Sequence, residues 1–153
     1  MSSPLSPSRF AVALAMLERD GLWLLQLRDD VPGIVHPGTW GLFGGHLDPG
    51  ETPEGALRRE LVEEIGWTAG PLEPWFDHHD SLRSAHFFRG QLDAPLADLR
   101  LMEGQDLTLA SLQELEGGQV LSPRLGEARP LAPSLQLAVQ RLQRTPPAAS
   151  TGG

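Results

Sequence analysis

The 153-residue chain contains no cysteine, no lysine, no asparagine and no tyrosine. Without cysteine it can form no disulfide and offers neither a thiolate ligand for zinc nor a thiol nucleophile. Without lysine it can have neither the phosphate-binding lysine of a P-loop nor a Schiff-base mechanism. It also lacks any apolar run near the roughly 20 residues that a transmembrane helix requires. These absences exclude several enzyme classes and predict that the protein does not span a membrane.

Positive charge is scarce as well, because all twelve basic residues are arginine and the formal net charge is −8. Proteins that hold polymeric nucleic acid by its backbone usually present basic patches, so we expect no such partner. The length and the 40% apolar content predict one domain with a real core. Residues 1–8 lack the basic start and apolar middle of a signal peptide, and a cytoplasmic location is therefore expected.

Apolar runs separated by glycine and proline predict an α/β domain over residues 9–144. Residues 1–8 are predicted to form a flexible leader, and residues 145–153 a disordered tail. The predicted strands cover residues 10–17, 22–27, 39–44, 75–79, 85–92 and 107–110. The predicted helices cover residues 53–65, 111–115 and 133–144.

The helix predicted over residues 53–65 follows a glycine-rich loop and has clear start and stop signals. Thr52 suits the N-cap, and Pro53 suits the first helical position, where its missing N–H does no harm. Gly66 suits the left-handed position that ends many helices. One apolar stripe recurs at every fourth position and would pack on a sheet: Leu57, Leu61 and Ile65.

Three carboxylates, those of Glu60, Glu63 and Glu64, fall within roughly 100° of arc beside this stripe. We expect them to lie on an open flank of the helix. Like charges crowded together are unfavourable unless a cation sits among them. Arg59 stands four residues before Glu63 and can hold one carboxylate. The simplest further occupant is a divalent metal ion carrying a phosphate.

Residues 45–67 resemble the Nudix box, the signature of the Nudix hydrolases. The pattern is a glycine, five residues, a glutamate, seven residues, Arg-Glu, a bulky apolar residue, any residue, Glu-Glu, any residue, glycine and a bulky residue. Every specified position is filled: Gly45, Glu51, Arg59, Glu60, Leu61, Glu63, Glu64, Gly66 and Trp67. With residue frequencies of roughly 5–10%, the fixed positions match by chance on the order of once in 10^8 windows.

The resemblance implies the Nudix fold, an α/β/α sandwich with a mixed central sheet and a loop–helix–loop motif. It also implies a hydrolase that uses Mg²⁺ or Mn²⁺ to cleave the diphosphate linkage of a nucleoside diphosphate joined to another group. Water attacks phosphorus in that reaction. A nucleoside triphosphate and a nucleotide sugar both remain open as the nucleotide-type substrate.

The same resemblance implies roles for particular residues. Glu60, Glu63 and Glu64 become metal ligands, with the carbonyl of Gly44 or Gly45 as a further oxygen. Glu60 and Glu63 share the assignment as catalytic base. Glu51 and Arg59 would brace the loop and the helix. Glu103 precedes Gly-Gln as in MutT-like members, where such a glutamate reaches back to the metal, and a solvated loop acid is the alternative.

Five residues are candidates for substrate binding. His46 follows the first glycine of the box, and Arg28 could pair with a phosphate. Trp40 and Phe88 could stack on a base, and His86 could point into the pocket, although aromatic residues in strands are more often core. The alternative to an enzyme is a catalytically silent nucleotide-binding or regulatory Nudix domain, against which the intact glutamates argue. A homodimer is left open, because no interface is specified.

Overall fold

The computed structural model describes residues 10–34 and 36–144, so the predicted leader and tail lie outside the described residues. Within them the chain forms strands and α-helices that alternate as predicted, and one 3₁₀ turn at Leu96–Asp98. The strands are β1 Phe10–Arg19, β2 Leu22–Leu27, β3 Trp40–Gly41, β4 Phe43–His46, β5 Leu72–His79, β6 Arg83–Gln91, β7 Asp106–Ala110, β8 Gln119–Ser122 and β9 Glu127–Pro130. The helices are α1 Pro53–Ile65, α2 Leu112–Glu116 and α3 Pro133–Arg144.

A seven-stranded mixed sheet runs in the order β3-β2-β1-β6-β5, with β4 beside β1 and β7 beside β2. Strands β1 and β6 are parallel, and the other strand pairs are antiparallel. Asp20 and Gly21 join β1 to β2, and both have positive φ, at 54° and 80°. Such backbone suits a two-residue hairpin turn between the first two strands.

Alternate residues of β1 supply the two faces of the sheet with separate cores, as the period of a strand requires. Ala13, Ala15 and Leu17 pack with the apolar stripe of α1. Val12, Leu14 and Met16 pack on the opposite face with residues of α3. Helices therefore cover both faces of a mixed sheet, and the predicted α/β/α sandwich is confirmed.

The structure corrects the prediction of a single strand over residues 39–44. Strand β3 pairs with β2, whereas β4 pairs with β1, so the chain must break at Leu42 to change partner. Strand β5 begins at Leu72, earlier than predicted, because Pro74 is tolerated on an edge strand beside an irregularity in pairing. The β8–β9 hairpin was not predicted, since its short strands are largely exposed and carry little apolar alternation.

The three helices confirm the predicted segments to within a residue or two at each end. None of the helices in the described part of the chain is long and apolar enough to cross a membrane. The boundaries of the domain at residues 9 and 144 stay a prediction.

Candidate active site

Helix α1 is fixed at both ends by the caps that its sequence predicts. The side-chain oxygen of Thr52 accepts a hydrogen bond from the Gly55 N–H at 3.0 Å, and Pro53 occupies the first turn. Gly66 ends the helix with φ 66°, and its N–H is directed to the carbonyls of Leu61 and Val62. These caps fix the two ends of α1, and with them the positions of its acidic residues along the helix.

Glu64 is buried, with only 3% of its surface exposed, which corrects the prediction that all three carboxylates lie on an open flank. Its Oε1 atom accepts a hydrogen bond from the Gly44 N–H at 2.9 Å. The pKa of Glu64 is raised to about 8, mainly by burial and in part by the charges of Glu103, Glu60 and Glu63, while the hydrogen bond from Gly44 opposes the rise. Without a cation nearby, this carboxyl is largely protonated at neutral pH.

The Glu60 side chain lies against the backbone of Gly45, which follows Gly44 on β4. A Cβ atom at position 45 would stand 2.5 Å from Glu60 Oε2 and 2.6 Å from its Cδ. Burial raises the pKa of Glu60, while the positive charge of Arg59 lowers it. Glycine at position 45 therefore provides the space that this carboxylate occupies.

Gly45→Ala is expected to displace the Glu60 carboxylate and to lower hydrolytic activity by about tenfold or more. The fold should survive, because the atoms in the way belong to the end of a flexible side chain. Gly70→Ala is the matched control, since a Cβ there meets no atom closer than 4.0 Å. Hydrolysis rate and melting temperature are measured for both variants. Equal activity of the two would show that the position of Glu60 is unimportant.

Arg59 links the helix to the loop that precedes it. Its Nε and Nη2 atoms donate to the two carboxylate oxygens of Glu51 at 2.8 and 2.9 Å. The side-chain hydrogen bonds from Arg59, together with the Asp48 N–H, lower the pKa of Glu51 to about 2. The Nη1 atom lies 3.3 Å from Glu60 Oε2 and 3.3 Å from both oxygens of Glu63. One guanidinium thus orients three carboxylates, in the bracing position that the Nudix resemblance implied.

Glu103 is brought close to these acids by the loop before β7. The Met102 N–H donates to the Glu64 carbonyl at 2.8 Å, and Gln26 Nε2 donates to the Glu103 carbonyl at 3.0 Å. The charge of Glu103 raises the pKa of both Glu60 and Glu64. An acid almost forty positions away in sequence therefore shares the electrostatic neighbourhood of the helix.

An open surface pocket adjoins Glu103. Its lining residues are Gln26, Arg28, Asp29, Ile34, Glu103 and Gly104. Arg28 was a sequence candidate. Asp29 and Ile34 were not, because a loop residue shows no periodicity that would reveal what it faces. The pocket therefore lies between the end of β2 and Glu103, whose charge acts on Glu60 and Glu64. These three acids are called the acidic cluster.

A family model described as the NUDIX domain matches residues 7–123, which is most of the chain. The chain belongs to the NUDIX family. The NUDIX chain is 37% identical over 82 residues to the nucleoside triphosphatase NudI of Escherichia coli O1:K1 / APEC, and the match covers 52% of this chain. It covers 57% of NudI, so the NUDIX chain spans little more than half the length of this curated relative.

Solved structures agree with the fold of this NUDIX protein. The MutT protein of Methanosarcina mazei Go1 superposes with a TM-score of 0.70 at 22% identity, covering 92% of this chain and 97% of its own. The ORF135 protein of E. coli superposes with a TM-score of 0.63 at 28% identity, covering 93% and 94%. The similarity extends well beyond the Nudix box, because it covers more than nine-tenths of this chain.

Two sequence candidates for base stacking in the NUDIX domain are corrected by the structure. Trp40 is fully buried, and its Nε1 atom donates to the Val120 carbonyl at 2.8 Å. Phe88 is buried in the core under α1. Neither ring presents a face to a ligand, because apolar residues on strands pack first against the layer that covers them.

The two histidine candidates of the NUDIX domain lie in different surroundings. His86 Nδ1 donates to Asp77 Oδ1 at 3.0 Å between β6 and β5, and this contact does not involve the acids of α1. The His46 ring is exposed and meets the edge of Phe10, with ring centroids 5.6 Å apart. It is the His46 carbonyl that faces the site, accepting a hydrogen bond from Arg59 Nη2 at 3.1 Å.

The donor set of the NUDIX site suits a hard divalent cation, which prefers carboxylate and carbonyl oxygens. In the described part of the chain, no three acidic or histidine side chains are already gathered in a metal-binding arrangement. Glu63 instead contacts Arg59, and its side chain is 57% exposed. Burial raises the pKa of Glu60 and Glu64, and the charge of Glu103 adds to it, so holding these acids ionised is unfavourable unless a cation is bound.

Proposed function

We propose that this protein is a divalent-metal-dependent pyrophosphohydrolase of the NUDIX family. It cleaves the diphosphate linkage of a nucleoside triphosphate or a related nucleoside diphosphate derivative by attack of water on phosphorus. The observation that carries the proposal is the placing of Glu60 and Glu64 against the backbone of Gly45 and Gly44, where burial and the nearby charge of Glu103 raise the pKa of both helical acids. The similarity to NudI, a nucleoside triphosphatase, supports a triphosphate as the first substrate to test.

The residues that would hold Mg²⁺ or Mn²⁺ are oxygen donors on α1, β4 and the loop before β7: Glu60, Glu63, Glu64, Glu103 and the carbonyl of Gly44. When bound, such an ion neutralises diphosphate charge and acidifies a water molecule. Arg59 and Glu51 keep the helix and the preceding loop in register through their paired hydrogen bonds. The Gly44 N–H holds one oxygen of Glu64 in place.

Two acids can serve as the base that takes the proton from water. Glu60 lies at the glycine backbone, and Glu63 is the more exposed of the two. Both are oriented by the same Arg59 nitrogen at 3.3 Å. The two assignments differ in which Glu→Gln variant loses the chemical step while retaining metal affinity. That comparison assigns the base.

The pocket beside Glu103 is the place for the nucleoside end of the substrate, because it opens directly next to the acidic cluster. Arg28 at its rim can pair with a phosphate. Polymeric nucleic acid is not expected there, given the net charge of −8. A cytoplasmic location and a homodimer stay predictions.

A panel of nucleoside triphosphates, nucleotide sugars and dinucleoside polyphosphates, incubated with Mg²⁺ or Mn²⁺, tests the proposal. We expect metal-dependent turnover of at least one class, with a nucleoside monophosphate and pyrophosphate as the products if a triphosphate is cleaved. Chelation of the metal should stop the reaction. Binding of a nucleotide without turnover of any compound would instead indicate a catalytically silent regulatory domain.

Glu103→Gln is expected to weaken activation by metal, raising the Mg²⁺ concentration for half-maximal rate by about tenfold or more. The reason is the loss of one negative charge that acts on both Glu60 and Glu64. Glu73→Gln, on the exposed edge of β5, is the matched control. A Mg²⁺ titration of the hydrolysis rate measures both variants. Identical titration curves would leave Glu103 as a solvated loop acid.

A further inference from the structure

The β8–β9 hairpin contacts both walls of the pocket beside Glu103. One wall is the loop between β2 and β3, which contributes Asp29 and Ile34. The other is the loop before β7, which contributes Glu103 and Gly104. The hairpin itself does not line the pocket, and it contacts the two walls through polar groups.

Arg129 on β9 attaches the hairpin to the first wall. Its Nη1 atom donates to Asp30 Oδ2 at 3.3 Å and to the Gly38 carbonyl at 3.1 Å. Its Nε atom donates to Glu127 Oε1 at 2.7 Å, which fixes the guanidinium on the hairpin. Gly38 has φ 68°, and a Cβ at that position would collide with Arg129 Nη1. The close approach of loop and arginine therefore depends on glycine.

Asp106 and Arg124 attach the hairpin to the second wall. Asp106 is buried on β7, and its Oδ2 atom accepts from Ser122 Oγ at 2.7 Å and from the Arg124 N–H at 3.1 Å. Arg124 Nη1 donates to the Gln105 carbonyl at 3.3 Å. Gln105 Nε2 in turn donates to the Arg28 carbonyl at 2.9 Å. The two walls are thus joined to each other and to one hairpin.

Besides the contacts of Arg129, hydrogen bonds that hold the described part of the first wall include Gln105 Nε2 to the Arg28 carbonyl and the Gly38 N–H to the Asp29 carbonyl. The described residues of this wall are mostly exposed, and His36, Gly33 and Gly38 all have positive φ, which is typical of irregular backbone. Few buried apolar contacts and solvent-exposed hydrogen bonds make such a segment prone to local opening. Arg129 contacts this loop at Asp30 and Gly38, and the Gly38 N–H donates to the Asp29 carbonyl, so the arginine acts on the part of the loop that carries Asp29.

We propose that Arg129 is a positioning residue that sets the shape of the nucleoside pocket by holding the β2–β3 loop. The inference rests on the proposed function, since the pocket is assigned there to the substrate. In the described part of the chain, the side chain of Arg129 contacts Asp30, Gly38 and Glu127, none of which is an acid of α1. Its loss should therefore weaken substrate binding and leave the chemical step intact.

The test compares Arg129→Gln with Arg144→Gln, an exposed arginine at the end of α3 that serves as the matched control. Hydrogen–deuterium exchange follows the loop amides, including the Gly38 N–H that donates to the Asp29 carbonyl at 3.1 Å. Steady-state kinetics on the best substrate of the panel give KM and kcat separately. Binding of the Mg²⁺ complex of that nucleotide is measured by calorimetry.

In Arg129→Gln we expect faster exchange in the loop, a KM and a dissociation constant raised by about tenfold, and a kcat changed by less than about twofold. Unchanged loop exchange, or a lower kcat at unchanged KM, would overturn the inference. Nucleotide binding that is equal in wild type and variant would overturn it alone. Failure of the wild type to bind or cleave any nucleotide would overturn the proposed function together with it.

Discussion

Glu64→Gln is expected to lower kcat/KM for metal-dependent hydrolysis by at least about 1,000-fold while the protein remains folded. Glutamine has nearly the same shape, and its carbonyl oxygen can still accept the hydrogen bond that the Gly44 N–H donates at 2.9 Å. It carries no negative charge for a divalent cation. Because the wild-type carboxyl is largely protonated without metal, the neutral amide should also be well tolerated in the buried position.

Glu54→Gln on the same helix is the control for this prediction. Glu54 pairs with Arg58 at 2.9 Å, and both side chains are substantially exposed. A surface ion pair of this kind contributes little, so activity should stay within about twofold of wild type. Circular dichroism and thermal melting establish that both variants are folded. If Glu64→Gln kept wild-type activity, the Glu64 carboxylate would have no part in the reaction.

The metal-free protein is expected to lose stability as the pH rises from about 4.5 to about 8. The pKa of Glu64 lies at about 8 in the folded protein, above its ordinary value of 4.5, because burial disfavours the charged form. Between these values the folded state binds more protons than the unfolded state, so raising the pH favours unfolding. A pKa difference of about 3.5 corresponds to up to about 5 kcal/mol of unfolding free energy. The raised pKa of Glu60 acts in the same direction.

Denaturant unfolding in the presence of a chelator measures this effect. The pH is varied from about 5 to about 8.5, which roughly spans the interval between the unfolded and folded pKa values of Glu64. Glu64→Gln should flatten most of the dependence, because the amide does not titrate. Mg²⁺ should restore stability at the alkaline end, since a ligand that binds only the folded state stabilises it. If the unfolding free energy depends on pH equally in wild type and Glu64→Gln, the raised pKa of Glu64 does not cause the effect.

Helix α1 and its caps were predictable from sequence because the signals involved are local. Thr52 caps an amide three residues ahead, and Gly66 closes a turn that begins four or five residues before it. The apolar stripe needs only the helical period to be recognised. The Nudix box adds fixed spacings within the same short stretch, and the acids of the helix follow from it directly.

The environment of each acid was decided only by the tertiary structure. Position within an arc of the helix does not tell which flank is covered, and β4 lies where it buries Glu64 and accommodates Glu60 against Gly45. The same topology places Trp40 and Phe88 in the two cores, where neither ring can stack on a ligand.

The amino-acid sequence by itself determined the family, the motif helix and the acids available for chemistry, because these depend on residue types at short, fixed separations. The folded chain decided that Glu103 joins Glu60 and Glu64, and that Arg129 reaches the loop at Asp30 and Gly38. Those contacts span from about 40 to 99 positions. They exist only because the sheet brings distant loops to one edge, and no local propensity encodes such an approach.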